Sequence, residues 1–168
     1  MTRQETSSSS PFNSAVESGL RTLTMLFALF PSAASVQRLI AFDYLLIHSD
    51  DVPGGPPGLH PRTPYRSGEL LVRRDSLQRG IRMYVSRGLI GELYTESGLE
   101  VVATESAGSF LGAMRSAYSE SLRQRAFWVA DRFASQSDAD IERFTREHLG
   151  DWGAEFEFES VLWGEDSK

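Results

Sequence analysis

The chain contains no cysteine among its 168 residues. That excludes a disulfide framework and any thiolate metal site. It contains one lysine, Lys168, so every other basic side chain is arginine. A phosphate-binding glycine loop ending in lysine is therefore excluded. No apolar run reaches the ~18 residues of a membrane span. The longest, Leu20 to Phe30, is broken by Arg21 and two threonines. The N-terminus lacks a basic stretch followed by an apolar one, so no secretory leader and a cytoplasmic location are expected. No Gly-x-Ser-x-Gly elbow exists; in Ala107-Gly-Ser109-Phe-Leu-Gly112 the glycine directly precedes the serine.

What is present suffices for a core. Hydrophobic residues make up 40% of the chain, with ten phenylalanines, five tyrosines and three tryptophans. The length suits one domain, or one small domain with helical extensions. The net charge of −6 hides an asymmetry. Residues 62–87 carry seven arginines against Glu69 and Asp75, a balance of +5. Residues 88–168 carry seven basic and sixteen acidic groups, a balance of −9. A basic stripe on an acidic protein points to one confined anionic contact, not to a nucleic-acid coat.

The stretch from Leu77 to Thr104 says most about the fold. Leu77, Ile81, Tyr84 and Val85 recur at helical spacing until Gly88, which tolerates the left-handed conformation that closes a helix. Two apolar segments follow, Leu89 to Tyr94 and Leu99 to Thr104, joined by Thr95-Glu-Ser-Gly98. That is a hairpin signal. Helix, glycine, hairpin is the layout of a winged helix-turn-helix. The expected fold class is mainly α with a small β-wing, a winged helix-turn-helix with a C-terminal helical extension.

Along the chain, residues 1–11 read as a disordered tail, 12–150 as the winged-helix domain with its extension, and 151–168 as a C-terminal tail. Ser14-Ala-Val-Glu17 is a capping-box pattern opening a helix over about 14–30, with Val16, Leu20, Leu23 and Phe27 inward. A second helix runs over about 35–48, with Val36, Leu39 and Ile40 inward and Asp43 outward. A short helical piece, 69–73, precedes a helix over 76–87 capped by Asp75 or Ser76. Thr104 caps a helix over about 105–115. Leu122, Ala126, Val129 and Phe133 mark another over 119–134. Ser137 and Asp140 open one over 138–149, ended by Gly150. The alternating Glu155-Phe-Glu-Phe-Glu159 suits a strand.

Residues 49–67 hold five of the seven prolines and three glycines, a density that excludes regular helix or strand. Leu59 and Tyr65 can anchor such a loop, so it is expected to be ordered. His48, Asp50, Asp51 and His60 are the most metal-like residues in the chain. Their spacing matches no dedicated motif. Helix-end, turn and packing roles account for them more simply, so neither metal, cofactor nor catalytic residue is assigned. Arg73, Arg74, Arg79 and Arg82 form the candidate contact face for DNA phosphates or an acidic protein.

Several segments together carry a family resemblance. They are Pro11-Phe-Asn13, Gly19-Leu-Arg21, Arg38-Leu39, Asp43-Tyr-Leu45 and His48-Ser-Asp-Asp51. Gly55-Pro-Pro-Gly-Leu-His-Pro61 follows, then Pro64-Tyr-Arg66, Gly68-Glu69, Arg73, Gly88-Leu89 and the helix bearing Leu122, Arg125, Ala126 and Trp128. Over about residues 11–155 the chain resembles the middle component, subtype two, of bacterial ABC-three-component systems. It departs at Gly58, where serine is expected, and at Val101 and Val102, where a tyrosine is expected. The resemblance implies a small non-catalytic winged-helix subunit. Its partners would be a coiled-coil, SMC-like ABC ATPase and an effector, often a nuclease, in anti-phage or anti-plasmid defence. Leu59, His60, Pro61, Tyr65 and Arg66 would form a partner-docking loop, with DNA met mainly through the complex. The alternative is a free-standing winged-helix transcription regulator, dimerising through the 119–133 helix.

Overall fold

The computed structural model describes residues 14–61 and 69–148. These are mainly helical, with a small antiparallel sheet. Six helices run in chain order: α1 (Ala15–Leu29), α2 (Val36–Ile47), α3 (Glu69–Ser86), α4 (Ser106–Gly112), α5 (Ala117–Phe133) and α6 (Asp138–His148). The strands are β1 (Ala34–Ser35), β2 (Ile90–Thr95) and β3 (Gly98–Ala103), in the order β1-β3-β2. The expected tail at 1–11, Gly150 and the 155–159 strand lie outside the described residues.

Serines start the helices. Ser14 Oγ accepts from the Glu17 N–H at 3.3 Å, Ser35 Oγ from Arg38 at 3.1 Å and Ser116 Oγ from Ser119 at 3.1 Å. Each satisfies one of the donors that a helix N-terminus leaves without an internal acceptor. Before α6 the exchange is reciprocal: the Asp140 N–H donates to Ser137 Oγ and the Ser137 N–H to Asp140 Oδ2. α3 stops at Gly88, whose φ is 72°. The Gly88 N–H donates to Val85 O and the Leu89 N–H to Tyr84 O, the two bonds of a Schellman closure.

α1 is the central element. It packs against α3 and α5, and against α2, α4 and the sheet. From Ser18 to Leu26 only Leu20 keeps appreciable exposure. The closest approach is at Gly19 and Gly80: a Cβ on Gly80 would lie 2.6 Å from Gly19 N and 2.7 Å from Ala15 O. α5 contributes Leu122, Ala126, Val129 and Phe133 to the same core, as its periodicity predicts.

Four expectations need correction. α3 is one 18-residue helix, not a short piece followed by a second helix. Asp75 pairs with Arg79 one turn on, and Ser76 Oγ lies 3.0 Å from Ser18 Oγ in the interior, so neither acts as a cap. Thr104 does not cap α4; its hydroxyl donates to Gly88 O at 2.7 Å and ties the base of the hairpin. Val16 is 55% exposed, because the buried side of α1 is set by Ser18, Arg21 and Thr22. β1 went unforeseen, since two residues carry no periodicity; Ala34 pairs with Val101 and Ser35 with Glu100.

Gly80→Ala should lower the unfolding free energy by about 2 kcal/mol, although alanine favours the helix by ~1 kcal/mol, because backbone lies where the methyl would go. Urea denaturation with an unchanged m-value measures this; a stabilised variant would contradict the close helix contact.

Candidate functional site

Three helices each send one charged side chain to a common point. Asp43 of α2 lies between Arg21 of α1 and Arg73 of α3. Arg21 Nε donates to Asp43 Oδ1 at 2.6 Å and Arg21 Nη2 to Oδ2 at 3.1 Å. Arg73 Nη1 donates to Oδ2 at 2.7 Å. The three side chains are 1%, 3% and 3% exposed. Ser18 Oγ accepts from Arg21 Nη2 at 3.4 Å. Two guanidiniums thus share one buried carboxylate. Removing water from such charges costs several kcal/mol each, and the bidentate geometry offsets that cost only while all partners are in place. Burial alone would push the Asp43 carboxyl up, but Arg21 and Arg73 outweigh it and hold its pKa at about 2. Arg21 is likewise desolvated, and Asp43 more than compensates, raising its pKa.

This arrangement corrects two expectations. Asp43 does not face outward. Arg73 does not belong to a surface stripe; it is structural. Arg74 is half-buried and donates to Gln37 Oε1 at 3.1 Å. Arg79 and Arg82 are exposed on α3, with Arg79 paired to Asp75 at 2.5 Å. The basic face therefore keeps two of its four expected arginines.

The proline-rich segment is ordered over its described part, and it begins with a short 3-10 turn, Ser49–Asp51, which composition alone argued against. The loop folds back on the end of α2: the Leu59 and His60 N–H groups both donate to Ile47 O. Ser49 Oγ donates toward Pro56 O and Pro57 O at 3.0 and 3.2 Å. Arg125 of α5 donates twice to Pro57 O, at 3.1 and 2.8 Å. Tyr44 OH donates to Asp51 Oδ2. Prolines lack N–H donors but keep their carbonyls, and those carbonyls are what the loop uses. Gly55 is required by crowding, since a Cβ there would lie 2.0 Å from Ser49 O. At Gly58 a Cβ would meet Asp50 Oδ1 at 2.5 Å, so the expected serine would need the Asp50 side chain to move.

Of the docking-loop residues, Leu59 packs half-buried against the core and Pro61 is exposed. Tyr65 and Arg66 lie outside the described residues. His60 Nε2 is 2.8 Å from Tyr118 OH on α5, with the two rings stacked. Burial raises the Tyr118 pKa, and the nearby Arg21 charge works against that rise. Burial, and then Arg21, lower the His60 pKa to about 4, so the ring is neutral. His48 is buried with its ring 4.8 Å from that of Tyr44. Among the described residues no group of three or more His, Cys, Asp or Glu side chains is placed to hold a metal ion.

Arg38 plays a similar part at the other end of α5. It donates to Phe133 O, Ala134 O and Gln136 O and pairs with Asp138 at 2.6 Å. Its guanidinium satisfies carbonyls that the end of α5 leaves open. So Arg21, Arg38, Asp43, Ser49, Arg73 and Arg125 stitch helices and loop together. Arg38, Asp43 and Arg125 stand in the sequence as parts of the family resemblance, and only the structure shows what they hold. Their partners lie 22 to 100 residues away, and no local pattern reveals such pairs.

Residues 11–155 match the family model for the ABC-three component (ABC-3C) system Middle Component 2. The chain belongs to this family. No curated protein and no solved structure matches it. As a middle component, it is one part of a multi-component system. No helix among its described residues is long and apolar enough to cross a membrane.

Asp43→Ala should cost about 3–5 kcal/mol of stability by leaving two guanidiniums buried without their carboxylate. Wild-type stability should also depend on pH in two steps. His60 binds a proton more readily when unfolded, so its contribution is full above about pH 6.5 and is lost as pH falls to about 4. The Asp43 contribution is full above the ordinary carboxylate range and is lost as pH falls through about 2. His60→Gln should flatten the upper step and leave the lower one. Denaturant titrations across pH decide it, and an unchanged upper step in the variant would refute the assignment. Arg125→Ala should speed amide exchange at Leu59 and His60 without affecting α1; equal protection in both proteins would show the clamp to be idle.

Proposed function

We propose that this middle component is a non-catalytic, cytoplasmic winged-helix adaptor. It joins a coiled-coil ABC ATPase to an effector in a defence complex directed at phages or plasmids. The observation that carries this is the family match over residues 11–155, together with a site whose charged groups serve the fold. The winged-helix reading is supported by the element order helix, strand, helix, helix, hairpin, with β1 paired to β3. The non-catalytic reading is supported by what the prominent polar groups do. Asp43 is locked between two arginines, His60 is neutral against Tyr118, and Asp51 accepts from Tyr44. None of them stands as a base beside a nucleophile.

The basic face, Arg79 and Arg82, is proposed to meet an acidic partner surface, with DNA bound mainly through the complex. Arg73 and Arg74 have been drawn into the fold, and the whole chain is acidic, with a net charge of −6. Arg79 and Arg82 by themselves offer little positive surface to duplex phosphates. The free-standing regulator finds less support. It needs α5 as a dimerisation helix, and the α5 stripe of Leu122, Ala126, Val129 and Phe133 is spent on the core.

Co-expression with the other two components of its system should give a complex that co-purifies. Arg79→Glu/Arg82→Glu should break that complex while DNA binding by the ATPase persists. Sub-micromolar duplex binding by the isolated subunit at physiological salt, lost in this variant, would favour the regulator instead. Purified alone, the subunit should hydrolyse neither ATP nor DNA. A metal-dependent nuclease activity abolished by His48→Ala or His60→Ala would overturn the non-catalytic reading.

A further inference from the structure

The outer half of the β2–β3 hairpin carries an apolar surface that no described element covers. Tyr94 is 83% exposed, Leu93 45% and Leu99 40%. The strand register sets Tyr94 opposite Leu99 and Leu93 opposite Glu100. Side chains alternate between the faces of a strand. Tyr94 and Leu99 therefore share the face on which Ile90, Val101 and Ala103 are buried at the hairpin's base. The core-facing surface runs on past the body of the protein and ends in an uncovered tyrosine–leucine pair. Cross-strand aromatic–aliphatic pairs stabilise a sheet, but this one is left to water on its outer side.

The charge along this stretch of chain is of one sign. From Gly88 to Met114 the chain has no arginine, lysine or histidine, and it has Glu92, Glu96, Glu100 and Glu105. Glu92 lies on the Tyr94 face and Glu96 sits in the turn. β2 is also the edge of the sheet in the order β1-β3-β2. Edge strands are commonly blunted by shortness, lysine or proline. β2 has six residues, with neither lysine nor proline, and its single charge is Glu92.

We propose that this hairpin docks a partner polypeptide by strand addition along β2. The contacting segment of that partner is extended, apolar on one face and rich in arginine or lysine. Main-chain hydrogen bonds along β2 supply affinity, and the alternate side chains supply choice. Tyr94 is the anchor, a residue type that concentrates binding energy at interfaces. The carboxylates select the sign of the partner and steer its approach. Duplex DNA does not suit this surface, because Glu92 on the Tyr94 face and Glu96 in the turn would meet phosphates. A second copy does not suit it either, because two such hairpins would bring their glutamates together.

The proposal rests on the adaptor reading and gives it a second pole. Arg79 and Arg82 on α3 suit an acidic partner, and the hairpin suits a basic one. A bridging subunit with two faces of opposite charge binds two different partners without confusing them.

The test uses the full chain and the other two components of its own system, each purified separately, with affinities measured at low and high salt. Tyr94→Ala should weaken binding to one component by about 30-fold or more. Tyr94→Phe should retain most of it. Glu92→Lys/Glu96→Lys should weaken the same contact about tenfold or more and remove its salt dependence. Amides of Ile90–Thr95 should exchange more slowly in the complex. These residues are exposed, so an unchanged melting temperature confirms folded variants. If the wild type binds and every variant binds equally well, the hairpin proposal falls and the adaptor reading stands. If the wild type binds neither component, both fall. If Tyr94→Ala instead converts a dimer to a monomer, or abolishes binding to duplex DNA while partner binding persists, the assigned occupant is wrong.

Discussion

One carboxylate organises this protein. Asp43 accepts from two arginines on two other helices, in an interior where an uncompensated charge would cost more than most single contacts contribute. The bidentate grip of Arg21 fixes both the azimuth and the height of α1 against α2. Arg73 then fixes the register of α3 against the same carboxylate. Apolar packing is permissive of small slides; a three-way hydrogen-bonded ion cluster is not. In that register Gly19 passes Gly80 with no room for a side chain between them. The cluster thus constrains where Tyr84 reaches Val16 O, and where α3 hands over to the hairpin.

The same logic extends outward. Tyr118 of α5, which feels the Arg21 charge, meets His60, and His60 belongs to the proline-rich loop. That loop is held by proline carbonyls together with the few N–H groups that its prolines leave. Arg125 grips Pro57 O, and Ile47 O takes the amides of Leu59 and His60. Family segments scattered through the sequence converge here because Arg21, Asp43, Arg73 and Arg125 each supply one end of a long-range bond. Their role is to give a small chain without disulfides a single set of helix positions. A rigid body of this kind is suited to presenting separate surfaces at a constant distance.

Burying arginines has a consequence for the surface. Of the four arginines expected to form a basic stripe, one is in the core and one is half-buried against Gln37. The remaining pair belongs to the helix that leads into a hairpin whose charges are all negative. A surface so divided fits the adaptor role proposed above, since a duplex would be attracted at one edge and repelled at the next.

Local patterns determined a good deal of this protein. The serine caps, the glycine at the end of α3, the hairpin turn and the α5 stripe are all short-range signals, and each element appears within a few residues of where they place it. The absence of cysteine and the single lysine close off whole classes of chemistry at the level of composition. The family segments were visible as well, though not what they do. Only tertiary structure decided that Asp43 turns inward, that Arg73 leaves the surface, that Ser76 continues a helix instead of starting one, and that a two-residue strand joins the sheet. The reason is physical. Caps and turns are set by dihedral preferences and neighbours three or four residues away. A charged side chain goes inside only when a partner from a distant part of the chain arrives to meet it, and nothing in the local sequence announces that meeting.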